Sequence, residues 1–144
     1  MSIIATKAKE LRQLVKKQES FARQIVKDSP EQVEDYNLDQ LQKGVDAEGE
    51  KITPPYTPYT KAAKRAKGQP TDRVTLFDEG DFYRSIQARI DNAGFTLDAT
   101  DIKTPELIDK YGDMILGLNQ NSVDLLIDEL ILPELLKRNQ RELS

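Results

Sequence analysis

Four carboxylates, Asp72, Asp78, Glu79 and Asp81, fall within ten residues of one another. Carboxylates at this density are the groups that hold Mg²⁺ in carboxylate nucleases. They also cap and solvate turns. Asp78-Glu79-Gly80-Asp81 reads as a tight turn in which Gly80 supplies a positive φ and Asp81 caps whatever follows. A calcium loop needs acidic residues at alternate positions, a glycine at the bend and a distal glutamate, and this segment does not supply that order.

The second chemically distinctive set is basic. Residues 57–73 carry Lys61, Lys64, Arg65, Lys67 and Arg73 against Asp72 alone, a local charge of +4 within a chain of net charge -4, which leaves -8 for the remainder. Tyr56 and Tyr59 lie beside this run and have faces on which bases stack. The chain as a whole is acidic, with pI ≈ 5.0, whereas dedicated nucleic-acid binders carry a basic footprint across the domain. Opposite charge on separate segments suits head-to-tail contact between copies; charge alternating among solvated faces is the plainer alternative. The chain has no histidine and no cysteine, so the commonest general base and zinc ligand, disulfides and thiolate chemistry are all excluded. The reading is of a protein that is not an enzyme and has no cofactor and no metal.

The elements that position these groups follow from pattern. At 144 residues the chain fits a single domain, 1–144, with a helical N-terminal region (1–43), a proline-rich basic arm (44–72) and a sheet plus C-terminal helix (73–144). No run is long enough to span a membrane and no signal-peptide core opens the chain, so it is expected to be soluble where it is made. Leu11, Leu14, Val15, Phe21, Ala22, Ile25 and Val26 form one stripe of a helix from Ala5 to Asp28. Lys9, Arg12, Lys16, Arg23 and Lys27 fall on nearly the opposite face. Ser29-Pro30 starts a second, more polar helix that Gly44 closes and that is expected to pack lightly or against a partner. Pro54, Pro55 and Pro58 make residues 52–73 extended or mobile, with a short basic helix from Thr57-Pro58 to Gly68. Strands are expected near 73–77, 85–90, 95–99 and 114–118, the middle pair forming a hairpin around residues 91–94. Thr104-Pro105 caps a short helix ended by Gly112. Ser122 caps a last helix from Val123 to about Leu143, with Val123, Leu126, Ile127, Leu130 and Ile131 as core stripe. Leu125 and Leu132 lie off that stripe and widen the apolar face. Pro133 predicts a kink or break at 129–133, with the distal part turning to a neighbour. The fold class is α+β, a small antiparallel sheet packed by long N-terminal and C-terminal helices.

The segment Arg73-Val-Thr-Leu-Phe-Asp-Glu-Gly-Asp-Phe-Tyr-Arg-Ser-Ile86 resembles a signature of small tailed-phage neck and tail-completion proteins. The pattern is leucine, x, aspartate or threonine, x, glycine, x, hydrophobic, x, x, serine, hydrophobic, matched by Leu76, Asp78, Gly80, Phe82, Ser85 and Ile86. Upstream, Gly49 to Pro58 followed by Lys61 to Arg65 is similar to the glycine–aromatic–proline and basic stretch of the same proteins. Downstream, Leu107-Ile-Asp-Lys-Tyr-Gly112 and Ile115-Leu-Gly-Leu-Asn119 look like the ending of versions from crAss-like phages. The turn has aspartate where threonine is commoner, and residues 5–43 exceed a minimal member.

The resemblance implies a structural virion protein that oligomerises into a neck or tail-completion ring joining head connector to tail. Its partners would be further copies and other neck, portal-side or tail proteins, with non-specific proximity to packaged DNA and no membrane. Its location would be the virion, after assembly in the host cytoplasm. The expected protein–protein interface consists of Tyr56, Tyr59, Lys61, Lys64, Arg65 and Arg73 on the arm and Leu125 and Leu132 on the last helix. Two other classes stay open: a small nucleic-acid-binding regulatory protein, and a metal-dependent carboxylate enzyme using Asp78 and Asp81.

Overall fold

The computed structural model describes Gln13, residues 17–91 and residues 94–143, with side chains through Arg138 in the last helix. Its elements are α1 (residues 17–28), α2 (Pro30–Gln42), α3 (Pro58–Ala66), α4 (Asp81–Ser85), β1 (Ile86–Asp91), β2 (Gly94–Ala99), α5 (Thr104–Tyr111), α6 (Gln120–Leu126) and α7 (Leu132–Leu143). A π-turn, Ile127–Ile131, joins α6 to α7. The fold is α+β with a two-stranded antiparallel sheet.

In α1 the expected inward stripe holds where it is described: Ile25 and Val26 are buried, Phe21 and Ala22 half-buried, Arg23 and Lys27 exposed. Leu11, Leu14, Val15, Lys9, Arg12 and Lys16 lie outside the described residues. Pro30 opens α2 at its first position, although the Ser29 side chain makes no capping bond. Gly44 follows the helix at φ 72, where a Cβ would stand 2.8 Å from that of Arg73, so only glycine lets the chain turn against that side chain.

Helix α2 does not pack lightly. Val33, Tyr36, Asn37, Gln40 and Leu41 are all buried, and the helix lies against β1 and α6. Its inward face is completed by two amides, so a count of apolar residues understates how much of it is core. Asn37 donates to the Ile115 carbonyl at 3.0 Å and accepts from the Gly117 amide at 2.9 Å. Gln40 donates to the Gly117 carbonyl and accepts from the Asn119 amide, both at 2.8 Å. These bonds replace the sheet ladder expected near 114–118. The segment is a 3-10 turn, Asp113–Ile115, followed by an irregular run into α6, its backbone groups satisfied by side chains rather than by a neighbouring strand.

The segment near 73–77 is no strand either. The Tyr56 hydroxyl accepts from the amides of Thr75 and Leu76 at 3.0 and 3.2 Å, and Leu76 sits at φ 59. A left-handed leucine breaks an extended run. The hairpin is as expected: Ile86 pairs with Ala99, Ala88 with Leu97 and Ile90 with Phe95, and these residues meet the core from one face. Asn92 and Ala93 at its tip are outside the described residues. Ser85 belongs to α4 rather than to the strand, its hydroxyl donating to the Phe82 carbonyl.

The caps differ by a few residues from expectation. Gly80, at φ 90, precedes α4, and Asp81 is the first helical residue. Lys103 precedes α5, which begins at Thr104 itself and is closed by Gly112. Asn119, not Ser122, caps α6, its side-chain oxygen accepting from the Ser122 amide at 3.0 Å.

Pro133 does not end the last helix, and the distortion expected near 129–133 is present just before it. That distortion is the π-turn, where the Leu132 amide donates to the Ile127 carbonyl; the helix runs on from Gln120 to Leu143, and the wider turn accommodates the N–H that Pro133 lacks. The distal part comes back to its own chain: the Arg138 guanidinium lies 5.5 Å from the centre of the Phe21 ring and 4.0 Å from the Asp28 carboxylate. The expected stripe is also re-sorted. Leu126 is buried, Leu125, Leu130 and Ile131 pack against the core, and Ile127 is exposed.

Candidate functional site

The basic segment and the signature turn form one unit. Thr57 caps α3, its hydroxyl accepting from the Thr60 amide, and Pro58 takes the first helical position. Gly68, at φ 72, ends the turn after α3. The helix therefore starts and stops where its sequence predicts, and it is tied down along one side. Lys64 is only 9% exposed. Its ammonium donates to the Phe77 carbonyl at 2.6 Å and to Gln69 at 3.3 Å, and it stands 4.7 Å from the centre of the Tyr56 ring. A cation this buried requires such partners. Gln69 then donates to the Asp78 carbonyl at 2.8 Å.

Each signature position has a physical task. Leu76 is buried in its left-handed turn, Phe82 and Ile86 enter the core, and Ser85 bonds the last turn of α4. Asp78 forms an ion pair with Lys67. That bond holds the Asp78 carboxyl below the usual carboxylate range and raises the Lys67 ammonium. At Gly80 a Cβ would stand 2.7 Å from an Arg84 guanidinium nitrogen and 3.2 Å from the Phe77 ring. The Phe77 and Tyr83 rings meet edge to face at 5.2 Å, and the Tyr83 hydroxyl donates to the Thr75 carbonyl; burial pushes that phenol's pKa up.

Three of the four carboxylates near the turn are each held in a single ion pair, and Glu79 is exposed. Asp72 pairs with Arg73, Asp78 with Lys67 and Asp81 with Arg84. Among the described residues no group of three His, Cys, Asp or Glu side chains is placed to hold a metal ion.

Six residues expected on the arm separate into two sets. Tyr56, Lys64 and Arg73 face their own chain, Arg73 through a 2.6 Å bond from Nε to the Gln42 carbonyl. Tyr59 and Arg65 do not, Tyr59 being 86% exposed and Arg65 exposed; Lys61 stands between the two sets, half-buried, and neither it nor Arg65 forms an ion pair among the described residues. A cavity of about 230 Å³ beneath α3 is lined by Lys51, Lys61, Arg73, Tyr56 and Thr53. On the last helix Leu132 is exposed, whereas Leu125 is half-buried against the core. Ile127, expected in the core stripe, and Leu136 are exposed with it. Straight-helix periodicity assigns Ile127 to the core; the π-turn alters that phase, and only Pro133 hinted at it.

No protein-family model, curated protein or solved structure matches this chain. No helix among the described residues is long and apolar enough to cross a membrane.

Proposed function

We propose that the chain is a structural subunit of a tailed-phage neck or tail-completion ring, a virion component joining head connector to tail. One observation carries the reading. The residues of the signature turn are consumed in a rigid frame, through Leu76 at φ 59, Gly80 at φ 90 and the Tyr56 hydroxyl, and that frame presents α3 with Tyr59 and Arg65 outward and Lys61 half-buried at its edge. Chemistry-bearing side chains spent on scaffold, with cations left over on a fixed helix, suit assembly rather than turnover. In this reading the partners are further copies and the adjoining neck, portal-side or tail proteins. The Pro-rich run is a braced loop in the subunit, and ring closure adds contacts at its outer helix.

A second reading, a small nucleic-acid-binding regulator, is favoured by the cavity that Lys51 and Lys61 line beside the Arg73–Asp72 pair, since clustered cations contact phosphates without regard to sequence. Electron microscopy of the purified protein, alone and mixed with disrupted virions, separates the two. The ring reading expects closed rings of uniform diameter, alone or on virion fragments. Single particles in both samples, together with DNA binding that weakens steeply with salt, would leave the regulator.

A further inference from the structure

We infer that the ring contact is heterologous and pairs α3 of one copy with the exposed face of the π-turn and α7 of the next. The inference rests on the ring reading and identifies its mating surfaces.

The first surface is created by the π-turn. In an α-helix a step of five residues overshoots one turn by about 140°, so Ile127 and Leu132 would point to different sides. Winding from i to i+5 brings them nearly into line, and Leu136 follows one ordinary turn later. The three are 38%, 46% and 61% exposed. Asp124 and Asp128, both exposed, edge this row and lie one turn apart. Neither Asp124 nor Asp128 has an ion pair among the described residues, and the Asp124 carboxylate accepts from the Gln120 side-chain amide at 2.9 Å.

The second surface has the matching chemistry. Inward-facing Lys64 fixes the rotation of α3, which turns Tyr59 to solvent on one flank and sets exposed Arg65 and half-buried Lys61, at the rim of the cavity, one turn apart along the other flank. Both charge pairs therefore repeat at about 6 Å along a helix, cations on one surface and carboxylates on the other. Tyr59 offers a rigid, amphipathic anchor for the apolar row, the kind of residue that dominates interface energies. Because the two surfaces differ, each copy can use one with each neighbour, which is the arrangement that generates rings. A partner of another class, such as DNA, would use the cations and leave the apolar row and its carboxylates without a role.

Charge-swap complementation tests the pairing. One variant carries Lys61→Glu and Arg65→Glu, the other Asp124→Lys and Asp128→Lys, and circular dichroism checks that both keep the wild-type fold. Sedimentation at low salt should show the wild type associating with concentration, each variant alone associating about tenfold more weakly or worse, and an equimolar mixture restored, because each altered surface then meets a complementary one. Leu132→Ser with Leu136→Ser probes the apolar half and should weaken association without change of charge. Variants that associate as the wild type does, or a mixture that is not restored, would overturn the pairing while rings seen with virion fragments kept the ring reading intact. A wild type that stays monomeric at every concentration also overturns the pairing, and templated assembly on virions then judges the ring reading separately.

Discussion

Replacing Asn37 by leucine probes the joint on which the whole arrangement depends. Leucine keeps the branched skeleton of asparagine, so neither a large cavity nor severe overpacking is expected. What it removes is the donor to the Ile115 carbonyl and the acceptor for the Gly117 amide. Asn37 and Ile115 are both 0% exposed, which leaves the carbonyl without access to water. An orphaned buried backbone group costs about 1–3 kcal/mol. Taking the upper half of that range for the carbonyl and the lower end for the partly buried amide gives a loss of about 3 kcal/mol. For a domain of this size that corresponds to a fall in Tm of about 10 °C. Urea unfolding followed by circular dichroism reads the first quantity, and a thermal scan the second. A loss below about 1 kcal/mol would refute the claim that α2 holds residues 115–119 through buried amides.

Other perturbations test the signature turn and one half-buried acid. Tyr56→Phe leaves the Thr75 and Leu76 amides without their shared acceptor and should cost about 2 kcal/mol, with faster hydrogen exchange at those two amides; unchanged exchange there would count against the clamp. Gly80→Ala forces a side chain to φ 90 against Arg84 and Phe77, for an expected loss of about 1–3 kcal/mol in chemical denaturation, and a neutral result would mean the turn is not rigid. Glu34 has its pKa raised above 4.5, first by burial, then by Glu31 and Asp35, against a lowering by the Ala88 amide. The folded state thus holds the proton more tightly, and stability is lost as pH rises from that ordinary value through the raised one. Glu34→Gln should therefore gain in Tm relative to wild type at pH 7 compared with pH 4; a relative gain at pH 4 instead would contradict the burial assigned to that carboxyl.

The sequence was most legible where local rules decide. Thr57-Pro58 and Gly68 bound α3, Gly44 and Gly112 follow their helices, and alternation from Ile86 to Ala99 gives the hairpin and its register. It was least legible where a distant side chain supplies the partner. Val74 to Phe77 has strand composition, but the Tyr56 hydroxyl takes two of its amides and Leu76 turns left-handed. Ile115 to Asn119 has the apolarity of a strand, but Asn37 and Gln40, about eighty residues earlier, occupy its backbone groups. The same amides made α2 look weakly apolar when it is a core helix. In the candidate interface, Tyr59, Lys61, Arg65 and Leu132 were readable from composition and spacing. Lys64 was readable as a cation but not as an inward one, and Ile127 could be found only after the π-turn had changed the phase of the last helix.

The central claim is that the protein is built into the virion neck. Immunogold labelling of intact purified particles, with antibody raised against the folded chain, addresses it most directly. Label is expected at the junction of head and tail, lost when particles are stripped of their necks. Purified particles that carry no label at that junction, and no copy of the chain by mass spectrometry, would contradict it.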